Sequence, residues 1–140
     1  MIDWCYKKSY ANSLGQGANI PFPDDGVRVF LSHKKDKRTN NTITSLTFRF
    51  GNKAYKLFSE SDYIVHAISY CARRIYFKSA TKETGYKLYN QPRMKDCKEY
   101  KRDISQIEEY NVYPYCGIYK IKPTNVLGVY YISFDDRIRP

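Results

Sequence analysis

The sequence predicts an α+β fold: a mainly antiparallel sheet with two short helices, each followed by a β-hairpin. Three observations carry this expectation. Apolar and polar residues alternate with a period of two through ITSLTFRFG, where Leu46, Phe48 and Phe50 interleave with Thr47 and Arg49. Aromatic side chains make up 16% of the chain, including 15 tyrosines, and flat rings suit a pleated, half-buried surface. A short helical signature followed by two strand signatures occurs at residues 52–78 and again at 103–134, a similarity of layout without shared residue identities. Two such units stacked into one sheet, with both helices on one face, give an α+β layer.

The 140 residues suit a single domain. Residues 1–26 read as an irregular N-terminal arm. They carry the glycines of GQG, Pro21, Pro23 and an Asp-Asp-Gly turn, with Trp4, Tyr6 and Phe22 to tie the arm down. Residues 27–90 form a strand–helix–hairpin unit. In VRVFLSHKK, Val27, Val29 and Leu31 point one way and Arg28 and Phe30 the other, so this segment is a strand. KKDKRTNNT is a polar turn into the strand ITSLTFRFG. NKAYKLFS reads as a helix, with Asn52 as N-cap and Ala54, Leu57 and Phe58 on its apolar side. YIVHAISY and RRIYFKSA make a hairpin around Cys71-Ala72, and GYKLYN adds one more short strand.

Residues 91–102, polar and opened by a proline, read as a connection. Residues 103–140 form the helix–hairpin unit. Asp103 and Gln106 have capping-box spacing at the start of DISQIEEY, with Ile104 and Ile107 on one face. GIYKIK and VLGVYYISF then pair across PTN, with Tyr130, Ile132 and Phe134 on one side and Tyr131 and Ser133 on the other.

The composition narrows the chemistry. A formal charge of +10, with pI near 9.4, attracts phosphate polyanions, anionic lipid or acidic protein surfaces. Cys5, Cys71, Cys97 and Cys116 are widely spaced and lack the close pairing of a zinc site, so no metal and no cofactor are expected. The opening MIDWCYKKSYANS has no continuous apolar core of a leader, and no run is long enough to span a bilayer. A cytoplasmic protein with reduced thiols and no membrane partner is the expectation.

Catalytic signatures are weak. His33 and His66 have no Ser, Cys or Asp at a recognisable family spacing, and His66 lies mid-strand between Ile64 and Ile68, where a packed histidine is expected. Asp24-Asp25 precedes a glycine and reads as turn chemistry. Glu108 and Glu109 diverge on a short helix and do not form a shared-proton pair. No catalytic residues are assigned, and the chain is expected not to be an enzyme.

The region LTFRFGNKAYKLFSESDYIVHAISYCARRIYFK, residues 46–78, resembles the AbrB-type swapped-hairpin DNA-binding fold. In that family a strand runs into a short helix, then a polar turn, then two closing strands. FRFGNKAYKLF stands at the strand-to-helix passage and RRIYFKSA where the last strand ends in a basic residue. The proline the family carries before its helix is replaced by Gly51-Asn52. The resemblance implies DNA binding and a homodimer. In cadence and Lys, Asn, Tyr and Ile content the chain is also similar to small phage and mobile-element proteins from AT-rich genomes.

Two basic regions are the candidate binding site. The first runs from Lys34, Lys35, Lys37 and Arg38 through Arg49, Lys53 and Lys56, seven cations against Asp36 alone over residues 34–56. The second is RRIYFKSATKETGYKLYN: Arg73, Arg74, Tyr76, Lys78, Lys82, Tyr86, Lys87 and Tyr89. In a strand, Arg74, Tyr76 and Lys78 share the face opposite Ile75 and Phe77, and an aromatic between two cations suits base stacking with phosphate neutralisation. The expected function is that of a non-catalytic basic protein, from a phage or mobile element, that engages nucleic acid or a nucleic-acid-bound host protein. The alternative is a small anti-defence inhibitor of the anti-CRISPR type, for which tyrosine and arginine serve as interface anchors. A ribonuclease toxin is a distant third, because it needs a proton-transfer set.

Overall fold

Val27, Val29, Leu46, Phe48 and Phe50 are all buried, and their shared period of two draws both segments into strands. The computed structural model describes residues 22–93 and 96–139. It pairs β1 (Gly26–Lys35) with β2 (Thr42–Phe50) as an antiparallel hairpin, with Val29 opposite Phe48 and Leu31 opposite Leu46. The expected arm falls mostly on residues 1–21, including Trp4 and Tyr6, which lie outside the described residues.

After β2 the chain turns into α1 (Asn52–Lys56) at Gly51. A Cβ at Gly51 would meet the backbone oxygens of Asp24 and Pro23 at 2.5 and 2.6 Å, so only glycine fits this close crossing. Gly51 itself occupies the N-cap expected of Asn52, and the Asp24 carbonyl accepts from the Lys53 and Ala54 amides at 2.9 and 3.1 Å. Ala54 and Phe58 are buried, whereas Leu57 is exposed.

Then come β3 (Tyr63–Ser69) and β4 (Arg74–Ala80), a hairpin through the 70–73 turn, in which Arg73 adopts φ +56°. GYKLYN yields two short strands, β5 (Tyr86–Lys87) and β6 (Tyr89–Asn90). They are followed by β7 (Lys98–Ile104), α2 (Gln106–Val112), a 3-10 turn (Tyr113–Tyr115), β8 (Gly117–Lys120), β9 (Lys122–Pro123), β10 (Val129–Ser133) and a 3-10 turn (Phe134–Asp136).

The result is mostly antiparallel sheet with few helices, but in two sheets instead of the expected single one. Sheet 1 has the order β6-β7-β2-β1-β8, and sheet 2 the order β5-β3-β4-β10-β9. The sheets pack face to face because both have an aromatic or aliphatic side to cover. Phe77 of sheet 2 meets Phe48 and Phe50 of sheet 1 edge-on, at ring-centroid distances of 5.3 and 5.2 Å. At each side the chain steps between sheets through one buried residue: Leu88 joins β5 to β6 and Ile121 joins β8 to β9.

Three expectations are corrected. Residues 98–104, expected within a connection and the start of a helix, form β7 and pair with β2 along its length from Thr44 to Phe50. Their inner face carries Tyr100 and Ile104 but also Lys98 and Arg102, whose long stems can line a core edge while their charges reach water. The helix therefore starts later: Ser105, not Asp103, is its N-cap, accepting from the Glu108 amide at 3.4 Å. Ile107 is exposed and shares no buried face with Ile104. Finally, Gly117–Lys120 does not pair with β10. It covers the edge of β1 from Gly26 to Val29, which would otherwise stand bare, and leaves only Lys122 and Pro123 opposite Tyr131 and Tyr130.

Phe77→Ala should destabilise the protein by about 3–5 kcal/mol in urea unfolding, since it empties the point where the sheets meet. Leu127→Ala, at a fully exposed loop tip (100%), should change stability by no more than about 0.5 kcal/mol. A loss below about 1 kcal/mol for Phe77→Ala would contradict the packing described.

Candidate functional site

Because Ile75 and Phe77 point into the core, Arg74, Tyr76 and Lys78 stand on the outer face of sheet 2. The ladder with β10 sets Tyr131 opposite Tyr76, Ser133 opposite Arg74 and Val129 opposite Lys78. The two tyrosine rings lie 6.4 Å apart, and the Arg74 guanidinium sits 4.1 Å from the centre of the Tyr131 ring. Ala67 of β3, opposite Tyr76 on the other side, is small and exposed, which leaves the Tyr76 ring open along that flank. Lys122, opposite Tyr131 on β9, adds a cation at the edge.

No carboxylate lies on this face within β3, β4 or β10. The nearby acids are at its end: Asp136 holds Lys122 at 2.8 Å, and Asp135 holds Arg73 at 2.7 Å. Hydrogen bonding and charge from Asp135 raise the Arg73 pKa, and Asp136 does the same for Lys122. These exposed pairs contribute little to stability.

The other basic residues are not gathered here. Lys34, Lys35, Lys37 and Arg38 are exposed at the β1–β2 tip. Asp36 caps that turn, accepting from the Arg38 amide at 3.0 Å and the Thr39 hydroxyl at 3.2 Å. Arg49 is on the outer face of sheet 1, bonded to Glu99 at 3.0 Å, and flanks Phe30 together with Arg28. Burial, then the charge of Arg49, lowers the Arg28 pKa. Lys53 and Lys56 ride on α1, and Lys82 is in the turn between β4 and β5. The outer faces of two packed sheets look in opposite directions. Of the two basic regions read from the sequence, Arg49 therefore faces away from the Arg74, Tyr76 and Lys78 side of sheet 2.

Tyr86 also departs from expectation. Its ring is stacked on Tyr100 (5.5 Å, 17°) and on His66 (5.9 Å, 27°), so it belongs to the core edge, not the open face. Lys87 and Tyr89 are exposed, with the Lys87 ammonium 5.6 Å from the Tyr89 ring centre. Tyr131 and Lys122 were absent from the sequence-based set. The outward direction of Tyr131 was readable from alternation, but its pairing with Tyr76 was not.

Both histidines have structural partners. His66 Nδ1 lies 2.8 Å from the Tyr100 hydroxyl, and burial, then the charge of Arg102, lowers its pKa to about 4. It is a neutral core histidine, as expected. His33 bonds Thr44 Oγ1 through Nδ1 at 3.0 Å and faces Glu109 Oε1 through Nε2 at 3.6 Å. The Thr44 hydroxyl donates to Glu109 at 3.3 Å, while Glu108 pairs with Arg102. This ring of contacts clamps α2 to the end of sheet 1, and the adjacent acids part company as their helical positions require.

Among the described residues no cluster of three or more His, Cys, Asp or Glu could hold a metal ion. Cys71, Cys97 and Cys116 are free thiols, and burial pushes Cys116 up to about 11, away from reactivity. No described helix is long and apolar enough to cross a membrane. No protein-family model matches the chain, and comparisons with characterised proteins and with solved structures find no match.

The unfolded chain protonates His66 near pH 6.5, the folded one only near pH 4, so stability falls as the pH drops through that window. Between pH 7 and pH 5 this linkage should cost about 2 kcal/mol. The check is the difference in urea stability between wild type and His66→Leu across that range. Parallel pH profiles for the two would contradict the assignment.

Proposed function

We propose that the chain is a non-catalytic protein that binds single-stranded nucleic acid on the outer face of sheet 2. Bases stack on Tyr76 and Tyr131, and Arg74, Lys78 and Lys122 meet the phosphates. The observation that carries this reading is the adjacent pair of outward tyrosines, 6.4 Å apart, flanked by cations on a strand face without a carboxylate. A single strand is the better ligand than a duplex, because only unstacked bases can lie on an aromatic platform. The net charge of +10 supports the same class of partner through counterion release.

A second reading, an inhibitor or adaptor that docks on a protein, is favoured by a different surface. Ile107 (76% exposed), Tyr110 (76%) and Tyr113 (70%) crowd along α2 and the turn after it, and such rings are frequent interface anchors. The two readings use separate residues. Tyr110→Ala should leave oligonucleotide binding unchanged and abolish any nuclease-resistant capture of a protein.

The test is fluorescence anisotropy with a short single-stranded oligonucleotide over a salt series. Tyr76→Ala should weaken binding by about 1–3 kcal/mol without changing the salt slope. Arg74→Ala with Lys78→Ala should reduce the magnitude of the slope of log affinity against log salt by about 1.4, at roughly 0.7 per phosphate contact. Wild-type affinity in both the Tyr76→Ala and the Arg74→Ala/Lys78→Ala variants would contradict the proposal.

A further inference from the structure

At the seam where β5 passes into β6, a cavity of about 480 Å³ opens between the two sheets' edges, within the size range of about 300–1,000 Å³ common to small-ligand sites. Tyr89, 60% exposed, forms one wall, and the edge of Tyr86, whose ring is stacked on the buried Tyr100, closes the floor. The polar lining comes from β7 and β2: Glu99, and Lys101 opposite Thr47. Glu99 Oε2 accepts from Arg49 Nε at 3.0 Å, which keeps a charged carboxylate in a defined orientation with lone pairs to spare.

The cavity adjoins the face already described. On β5, Lys87 is opposite Tyr63 and points out with the Arg74, Tyr76 and Lys78 side of sheet 2, while its ammonium reaches toward Tyr89 at the cavity. A strand crossing from β4 over β3 to β5 therefore arrives at this opening with a cation at the corner.

We propose that the cavity receives one guanine base, flipped out of the strand held on sheet 2. The inference rests on the nucleic-acid reading. The chemistry is that of edge matching. Guanine offers two parallel N–H donors, from N1 and its 2-amino group, which fit a carboxylate, beside a carbonyl oxygen that fits an ammonium. Glu99 accepts from the two N–H groups and Lys101 donates to the carbonyl, with the exposed Tyr89 ring, paired across the ladder with Glu99 and so on the same side of β7, for the base plane. Adenine lacks the carbonyl, and uracil sets carbonyls on both sides of its one N–H, so the carboxylate repels it.

The experiment measures anisotropy of a short oligouridine strand and of the same strand carrying one guanosine, inosine or adenosine. Guanosine should tighten binding roughly tenfold, inosine less, and adenosine not at all. Glu99→Gln and Lys101→Ala should each remove most of the guanosine gain while the plain uridine strand binds as before. Lys101→Ala leaves the Arg49–Glu99 pair intact, so it reads the cavity even where Glu99→Gln disturbs folding. No guanosine gain, or a gain that survives both variants, overturns the inference while sheet-face binding stands. If no strand binds at all, titration with guanosine monophosphate decides by NMR. Shifts confined to the amides of residues 85–89 and 99–101 support the cavity alone, and their absence overturns it.

Discussion

Phe77 stands wedged edge-on against Phe48 and Phe50 where the two sheets meet. It locks two antiparallel sheets together, and it fixes which way β4 faces. With Phe77 and Ile75 inward, strand geometry leaves no choice for Arg74, Tyr76 and Lys78: they must point out. The same contact carries through Phe48 to Tyr100 and His66, so the seam beside β5 rests on the wedge as well. Leu88 and Ile121, each buried at a crossing between sheets, close the layers at both sides without a long loop.

The tyrosines divide by environment. Tyr100 and Tyr119 are buried and bury their hydroxyls with partners, His66 at 2.8 Å and the Tyr115 carbonyl at 2.6 Å. Burial pushes Tyr119 up to about 12 and Tyr100 well above the ordinary phenol range, so both remain neutral packing groups. Tyr76 and Tyr131 are instead partly exposed on the outer face of sheet 2, with the Arg74 guanidinium over the Tyr131 ring. The acids divide in a complementary way. Glu99, Glu108, Glu109, Asp135 and Asp136 each face a basic side chain, which leaves Lys78 and the hairpin-tip cations uncompensated by any ion pair among the described residues.

Local alternation made β1, β2, β3 and β4 legible, because Val27, Val29, Leu46, Phe48, Ile75 and Phe77 are strongly apolar on one side. β7 was hidden because Lys98 and Arg102 occupy two of its four inward positions, so its period of two does not show as hydrophobicity. The path through Gly117–Pro123 was hidden for another reason: which sheet a strand joins depends on which edge lacks a partner, a property of the whole assembly. Half of the candidate surface followed from RRIYFK alone. Its other half, Tyr131, lies on a strand whose outward face was legible but whose neighbour was not. The His33–Glu109–Thr44 clamp had no sequence signal, since its members come from separate elements brought together only by folding.

Contact between unstacked bases and the two tyrosines of the β4–β10 face is open to direct measurement. Ultraviolet cross-linking of the full chain to a single-stranded oligonucleotide, followed by peptide mass spectrometry, reads that contact directly. If the proposed contact forms, nucleotide adducts fall on peptides containing Tyr76 and Tyr131. Adducts confined to the 34–38 hairpin tip, or no adduct above a bovine albumin control, would contradict it.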